Sequence, residues 1–319
     1  MKKLIKRLCL FFLPFLLGII YLVWTPLDRS FAYHYVTDDC AGHGSWVYNR
    51  VFRNSRPVDV AFLGSSRTIH APMDQLLEDR LHQQTGDSLH VLTLGYCRLG
   101  LNMRYVFLRD LLKQKEPKVI VLEVREDASR YSHPVFPYLA EAEDVFKPVI
   151  WFNQSVFKDA YLALETRFEY HKRKWLKITP PEYPFDPRPY GYGPSEVQAD
   201  TNMLRQKKAE RINRAARKLQ ETGRDFHLRF ARKYLEKIHQ LVEEQGIQLY
   251  FLYLPEYGWP LAEPMEIQTY QQYGQVWLPP KAILDNPENW MDDGHLNDRG
   301  AKAVTEWLMP LLAEAFSEK

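Results

Sequence analysis

The sequence predicts an α/β protein built on a parallel sheet with helices on both faces. Three observations lead there. Short strand candidates are apolar along their whole length, amphipathic helices separate them, and the same alternation resumes after a long helical interruption. Strands that alternate polar with apolar would instead suggest a sheet with one wet face.

The elements follow in order. Lys2, Lys3, Lys6 and Arg7 precede an uncharged apolar run from Leu8 to Trp24. Seventeen residues at 1.5 Å rise span about 25 Å, the short end of a membrane crossing. The preceding cations favour a cytoplasmic N-terminus, with the remainder outside the membrane. A cleaved secretory signal is the competing reading, but its apolar region is usually shorter and no A-x-A site follows here. Residues 1–25 are therefore read as a single-pass anchor and residues 26–56 as a stalk. A strand is expected at Val58–Leu63, a helix at Met73–Gln84 and a strand at Leu89–Leu94. A helix at Met103–Lys115 and a strand at Val119–Val124 come next. Residues 143–175 read as helical and aromatic. Residues 179–194 hold six prolines and four aromatic residues, which marks a clamped loop. Residues 200–245 read as helical with a break near Gly223. Strands at Gln248–Leu254 and Val276–Leu278 and a helix at Gly300–Phe316 close the chain. A domain at 57–319 with a mainly helical insertion at about 145–240 is the expected organisation.

Bulk composition excludes more than it proposes. The net charge of +2 over 319 residues gives no footprint for nucleic acid. Cys9, Cys40 and Cys97 are the only cysteines. Cys40 and Cys97 would face an oxidising compartment, where pairing is possible. No Cys/His set has zinc spacing, so neither a metal nor a cofactor is expected. Charge is uneven, however. Between Arg205 and Lys237 stand twelve Lys/Arg against four Asp/Glu. Such a run is either a solvated helix face or a surface for an anionic lipid, polymer or partner.

Two distant motifs carry chemistry. Gly64-Ser65-Ser66 follows the first strand, at the carboxyl end where open α/β sheets form their sites. Asp292-x-x-His295 lies near the C-terminus. A serine hydroxyl needs a base to accept its proton, and an imidazole needs a carboxylate to fix its tautomer. Ser66 is the candidate nucleophile, His295 the base and Asp292 the orienting acid. Asp293 offers an alternative reading as a helix cap. The Ser66 N–H, Gly100 and Asn102 are candidate oxyanion donors. Arg67, Arg98 and Arg125 are candidate contacts to an anionic substrate.

These blocks resemble the SGNH (GDSL-type) esterase and acyltransferase superfamily. Gly64-Ser65-Ser66 is similar to its Gly-Asp-Ser block, with Ser65 in the Asp position, and Asp292-x-x-His295 is similar to its last block. Gly95–Gly100 resembles the second block. The third, Gly-x-Asn-Asp, is replaced by Glu123-Val124-Arg125-Glu126-Asp127, so the usual asparagine donor is missing. The resemblance implies a three-layer α/β/α, flavodoxin-like fold. It implies an extracytoplasmic serine esterase or O-acyltransferase acting on acylated envelope polymer or glycan. Membrane-anchored relatives, such as the teichoic-acid D-alanyl transfer protein, further imply a membrane-bound O-acyltransferase partner. The alternative is a non-catalytic envelope-polysaccharide assembly or binding protein. The inserted segment, with its basic helices, is expected to shape the acceptor site and to supply no chemistry.

Overall fold

A computed structural model describes residues 1–36, 43–86, 88–98, 100–124, 126, 130–146, 153–179, 185–186 and 188–317. Its helices begin with α1 (Lys2–Trp24), α2 (Arg29–Tyr35) and α3 (His43–Tyr48), before strand β1 (Val60–Gly64). Then come α4 (Ser66–Ile69), α5 (Asp74–Thr85), β2 (Val91–Gly95), α6 (Leu101–Leu112) and β3 (Val119–Glu123). The middle holds α7 (Phe136–Leu139), α8 (Ala142–Phe146), α9 (Val156–Trp175), α10 (Thr201–Leu219) and α11 (Arg224–Glu243). The chain ends with β4 (Gln248–Leu252), α12 (Ile267–Gln271), β5 (Gln275–Trp277), α13 (Lys281–Leu284) and α14 (Asp298–Ser317).

The chain divides into two compact units. One comprises Met1–Tyr48 and Arg130–Phe185, the other Asn49–Ser129 and Asp186–Lys319. These boundaries differ from the expected ones. Residues 26–48 contain α2 and α3 and belong to the unit of α9, so this part of the expected stalk is packed structure. Phe31 on α2 meets Tyr170 on α9 at 5.3 Å between ring centres. The expected insertion at 145–240 is shared: α9 belongs to the first unit, α10 and α11 to the second.

The second unit is an α/β structure on a five-stranded, wholly parallel sheet in the order β2-β1-β3-β4-β5. Val60 stands opposite both Val91 and Val119, which fixes the register of the three N-terminal strands. Side chains alternate across a strand. Val60, Phe62, Val119, Val121, Tyr250 and Leu252 form one apolar cluster with Leu77 and Leu81 of α5 and Val304, Leu308 and Leu312 of α14. The alternate residues Ala61, Leu63, Ile120, Leu122 and Phe251 are also buried, and α6 and α11 pack against β1 and β4. This two-sided burial explains the unbroken apolar strands. The observed strands are shifted or shortened by one or two residues from the expected ones. Asp59 and Val60 already bond to the His90 carbonyl before regular pairing begins. At Gly223 the break between α10 and α11 occurs as expected, with φ +77 in the left-handed region that suits glycine.

Candidate active site

The serine turn is built by close packing. A Cβ on Gly64 would stand 1.7 Å from Thr68 Oγ1 and 2.4 Å from Glu123 Oε2, so only glycine lets these groups approach. Glu123 is the last residue of β3 and is buried. Its carboxylate accepts from the Ser65 N–H at 2.6 Å, Ser65 Oγ at 3.0 Å and Thr68 Oγ1 at 2.6 Å. Arg104 donates to the Glu123 carbonyl at 2.6 Å, and its guanidinium lies 3.8 Å from the carboxylate.

The two serines are therefore assigned different tasks by burial. Ser65 is buried, donates to Glu123 and caps α4 by accepting from the Arg67 N–H at 3.2 Å. Ser66 is only partly buried, and its Oγ lies 2.7 Å from His295 Nε2. Ser65 and Glu123 suit one another physically. An aspartate at 65 would set two carboxylates side by side, whereas a serine donates to Glu123.

His295 reaches Ser66 from a tight loop. Trp290 and Leu296 form an antiparallel bridge, and the Met291 N–H donates to the His295 carbonyl at 3.0 Å. Asp292 Oδ1 accepts from the N–H groups of Gly294 at 2.6 Å and His295 at 2.8 Å. The same carboxylate meets His295 Nδ1 at 2.9 Å and 3.0 Å. Burial alone would push the Asp292 carboxyl up. The bonds from His295 and Gly294, with the imidazole charge, override burial and hold it down at about 2. An ionised Asp292 fixes the Nδ1–H tautomer, leaving Nε2 to accept from Ser66.

A second ring completes the surroundings. His70, four residues after Ser66, packs edge-on to His295 at 5.5 Å. Its Nδ1 meets the Gly193 carbonyl at 2.6 Å. Burial pushes its imidazole down, and the carbonyl contact only partly offsets this. The spacing Ser66–His70, one turn apart, was the available sequence signal. Gly193 belongs to a segment strapped to the sheet. Asp74 of α5 accepts from the N–H groups of Gly191 at 2.5 Å, Tyr192 at 3.4 Å and Thr93 of β2 at 3.2 Å. Glu78 of α5 accepts from the Val91 N–H at 2.7 Å. Asp298 accepts from Tyr192 Oη at 2.7 Å and the Ser195 N–H at 2.6 Å. These bonds clamp residues 191–195, the C-terminal end of the proline-aromatic stretch and the residue after it.

The remaining candidates divide. The Ser66 N–H opens α4, where no intrahelical acceptor exists for it. Gly100 precedes α6 with φ +151, and Asn102 is buried in the first turn of that helix. Arg98 takes φ +66, a left-handed conformation uncommon outside glycine. Arg125 lies outside the described residues, as does Cys40. Cys97 is disulfide-bonded and Cys9 is free.

Arg67 is committed to an ionic network. It donates to the Leu254 carbonyl at 3.0 Å and to Glu256 at 2.5 Å. Glu256 also accepts from Arg211 at 2.7 Å and from Arg214. Burial pushes Glu256 up, but the charges of Arg67 and Arg211, with the bond and charge of Arg214, hold it at about 2. Arg211, itself buried, continues to the Tyr257 carbonyl at 2.6 Å and Asp293 at 2.7 Å. The Tyr257 N–H meets the Asp293 carbonyl at 3.2 Å. The network thus runs from the neighbour of Ser66 to the neighbour of Asp292. Asp293, read as a possible helix cap, is instead held by Arg211, and the next helix begins only at Asp298. The run's excess charge is partly internal: Arg224 and Arg232 pair with Glu266. Beside the network lies a groove open to solvent, which Arg67, Arg214, Lys218, Glu256 and Trp259 help to line.

No protein-family model matches the chain, and no curated protein matches it.

Proposed function

We propose that this chain is a membrane-anchored, extracytoplasmic serine esterase or O-acyltransferase of the SGNH kind, acting on acyl esters of a cell-envelope polymer. The observation that carries the reading is the relay from Ser66 Oγ to His295 Nε2 at 2.7 Å and from His295 Nδ1 to Asp292 at 2.9 Å. Its location after β1 and the strand order 2-1-3-4-5 support the flavodoxin-like, three-layer form of that fold. The apolar α1 supports the anchor.

In this reading Ser66 Oγ attacks the acyl carbonyl while its proton passes to His295 Nε2. The oxyanion forms against the Ser66 N–H, with Gly100 and Asn102 as the further donors. Collapse expels the donor alcohol or thiol, which takes the proton from Nε2 and leaves an acyl-Ser66 ester. Water or a sugar hydroxyl then gives its proton to Nε2, attacks the ester and regenerates Ser66. Water makes an esterase, and a glycan hydroxyl makes a transferase. A membrane-bound O-acyltransferase is the partner suited to present the acyl group. The groove with Trp259 in its wall is the surface along which a polymer segment would lie.

A fluorophosphonate probe tests the reading. The full-length protein should be tagged at Ser66, and Ser66→Ala should abolish tagging while shifting stability by less than about 0.5 kcal/mol. Absence of tagging in the folded wild type, or tagging that survives Ser66→Ala, refutes it and favours a non-catalytic protein.

A further inference from the structure

We infer that the outward face of α9 lies in the membrane interface, so that the unit carrying α1 rests on lipid through a second helix. The inference depends on α1 being membrane-inserted, and not on the catalytic reading.

Phe157, Tyr161, Leu164, Phe168 and Trp175 recur at spacings of four, three, four and seven. At about 100° per residue they fall on one narrow stripe. The buried residues Asp159, Ala163, Thr166 and Arg167 lie on the other side of the helix, so the stripe is not the face that packs within the unit. Phe157 is 86% exposed and Trp175 is 91% exposed. Leu176 and Ile178 extend the apolar surface past the helix end. Large aromatic side chains left this open in a row indicate a partner surface.

The partner is identified by the neighbour. Along α1 the residues before Leu22 are exposed, and only its last turn is partly covered. There Tyr21 meets His171 of α9 at 5.1 Å between ring centres. Tyr21 and Trp24 stand at the end of the apolar span, where aromatic residues occupy the headgroup level. The contact therefore sets α9 at that level. One flank of the stripe is charged: Lys158, Glu165, Glu169, Lys172 and Arg173 follow one another there, and Glu169 pairs with Lys172 and Arg173. Among the described residues only α1 is apolar enough to span a bilayer. An aromatic stripe beside a charged flank, with too many charges to cross, suits a helix lying in the plane of the membrane interface.

Lipid-borne photolabelling decides the matter. The full-length protein would be reconstituted in phosphatidylcholine vesicles containing a minor share of phosphatidylglycerol and a phospholipid with a diazirine near the headgroup. Label is expected on α1 and also on Phe157, Tyr161, Phe168 and Trp175. The variant carrying Phe157→Ser, Phe168→Ser and Trp175→Ser should lose α9 label by at least about five-fold, with α1 label and the unfolding temperature unchanged. Label confined to α1 overturns the inference and leaves the anchor intact. Cross-linking of α9 to a second copy or another protein in place of lipid also overturns it. Label on neither segment removes the anchor and the inference together.

Discussion

Replacing Ser65 by aspartate is the sharpest test of how the serine turn is held. Ser65 Oγ sits 3.0 Å from Glu123 Oε1 as a donor. Ser65→Asp would put a second carboxylate there. Two unit charges about 3 Å apart at an effective dielectric near 20 repel by roughly 5 kcal/mol. The pair can escape part of this by keeping a proton, so we expect a loss of about 2–4 kcal/mol at pH 7. Ser65→Ala is not diagnostic alone, because losing a bond to a charged acceptor costs a similar ~1.5–3 kcal/mol. The diagnostic quantity is the coupling. With Glu123→Gln the neighbour is neutral and its amide can donate, so Ser65→Asp should cost at least about 2 kcal/mol less there than in the wild type. Thermal unfolding of the four detergent-solubilised full-length proteins at pH 7, repeated near pH 4, measures it. Additivity within about 0.5 kcal/mol would refute the claim that Ser65 and Glu123 are energetically one device.

Two further outcomes follow from buried charges. Burial pushes Asp74 up to about 6, against the bonds it accepts from Gly191, Thr93 and Tyr192. The folded state holds this proton more tightly than the unfolded chain. Asp74 therefore stabilises the fold at low pH, and that contribution, about 3 kcal/mol for a shift of roughly two units, is lost as pH rises from about 4 through 6. The stability of the wild type relative to Asp74→Asn should fall by that order across the interval, measured by denaturant midpoints, and a pH-independent difference would contradict it. Arg211→Met leaves Glu256 and Asp293 short of a donor and should cost about 2–4 kcal/mol. It should also slow Ser66 tagging and hydrolysis of a small soluble ester together, whereas the exposed Arg217→Met should stay within about 0.5 kcal/mol and keep both. Unchanged tagging in a folded Arg211→Met protein would uncouple the network from the site.

The residues that meet as Ser66, His295 and Asp292 were legible because each of the two motifs that carry them is local. A Gly-Ser-Ser turn after an apolar strand and Asp292 three residues before His295 are patterns of short range. The parallel sheet was legible because burial on both faces leaves continuous apolar runs. What was not legible depends on partners distant in sequence. Glu123 has no evident task in the sequence until Ser65 and Thr68 are seen to donate to it. The basic run shows its sign in the sequence, but Glu256, Asp293 and Glu266 lie outside it, and only folding brings them to Arg211 and Arg232. Residues 29–35 look irregular alone, and Phe31 has a reason to be helical only once Tyr170 packs against it.

The acids of α5 have a consequence for how the protein keeps to itself. β2 lies at one margin of the sheet, so among the described residues the amides on its far side face no neighbouring strand. A row of such donors is a template on which a foreign strand can add, the start of domain exchange or aggregation. Here the outward amides of Val91 and Thr93 are already spent on Glu78 and Asp74. Gly191 presses so close that a Cβ there would stand 1.6 Å from the Thr93 carbonyl oxygen. The opposite margin, β5, is only three residues long. The sheet is thus terminated by carboxylates and a strap at one margin and by brevity at the other, and its five strands offer little for a sixth to join.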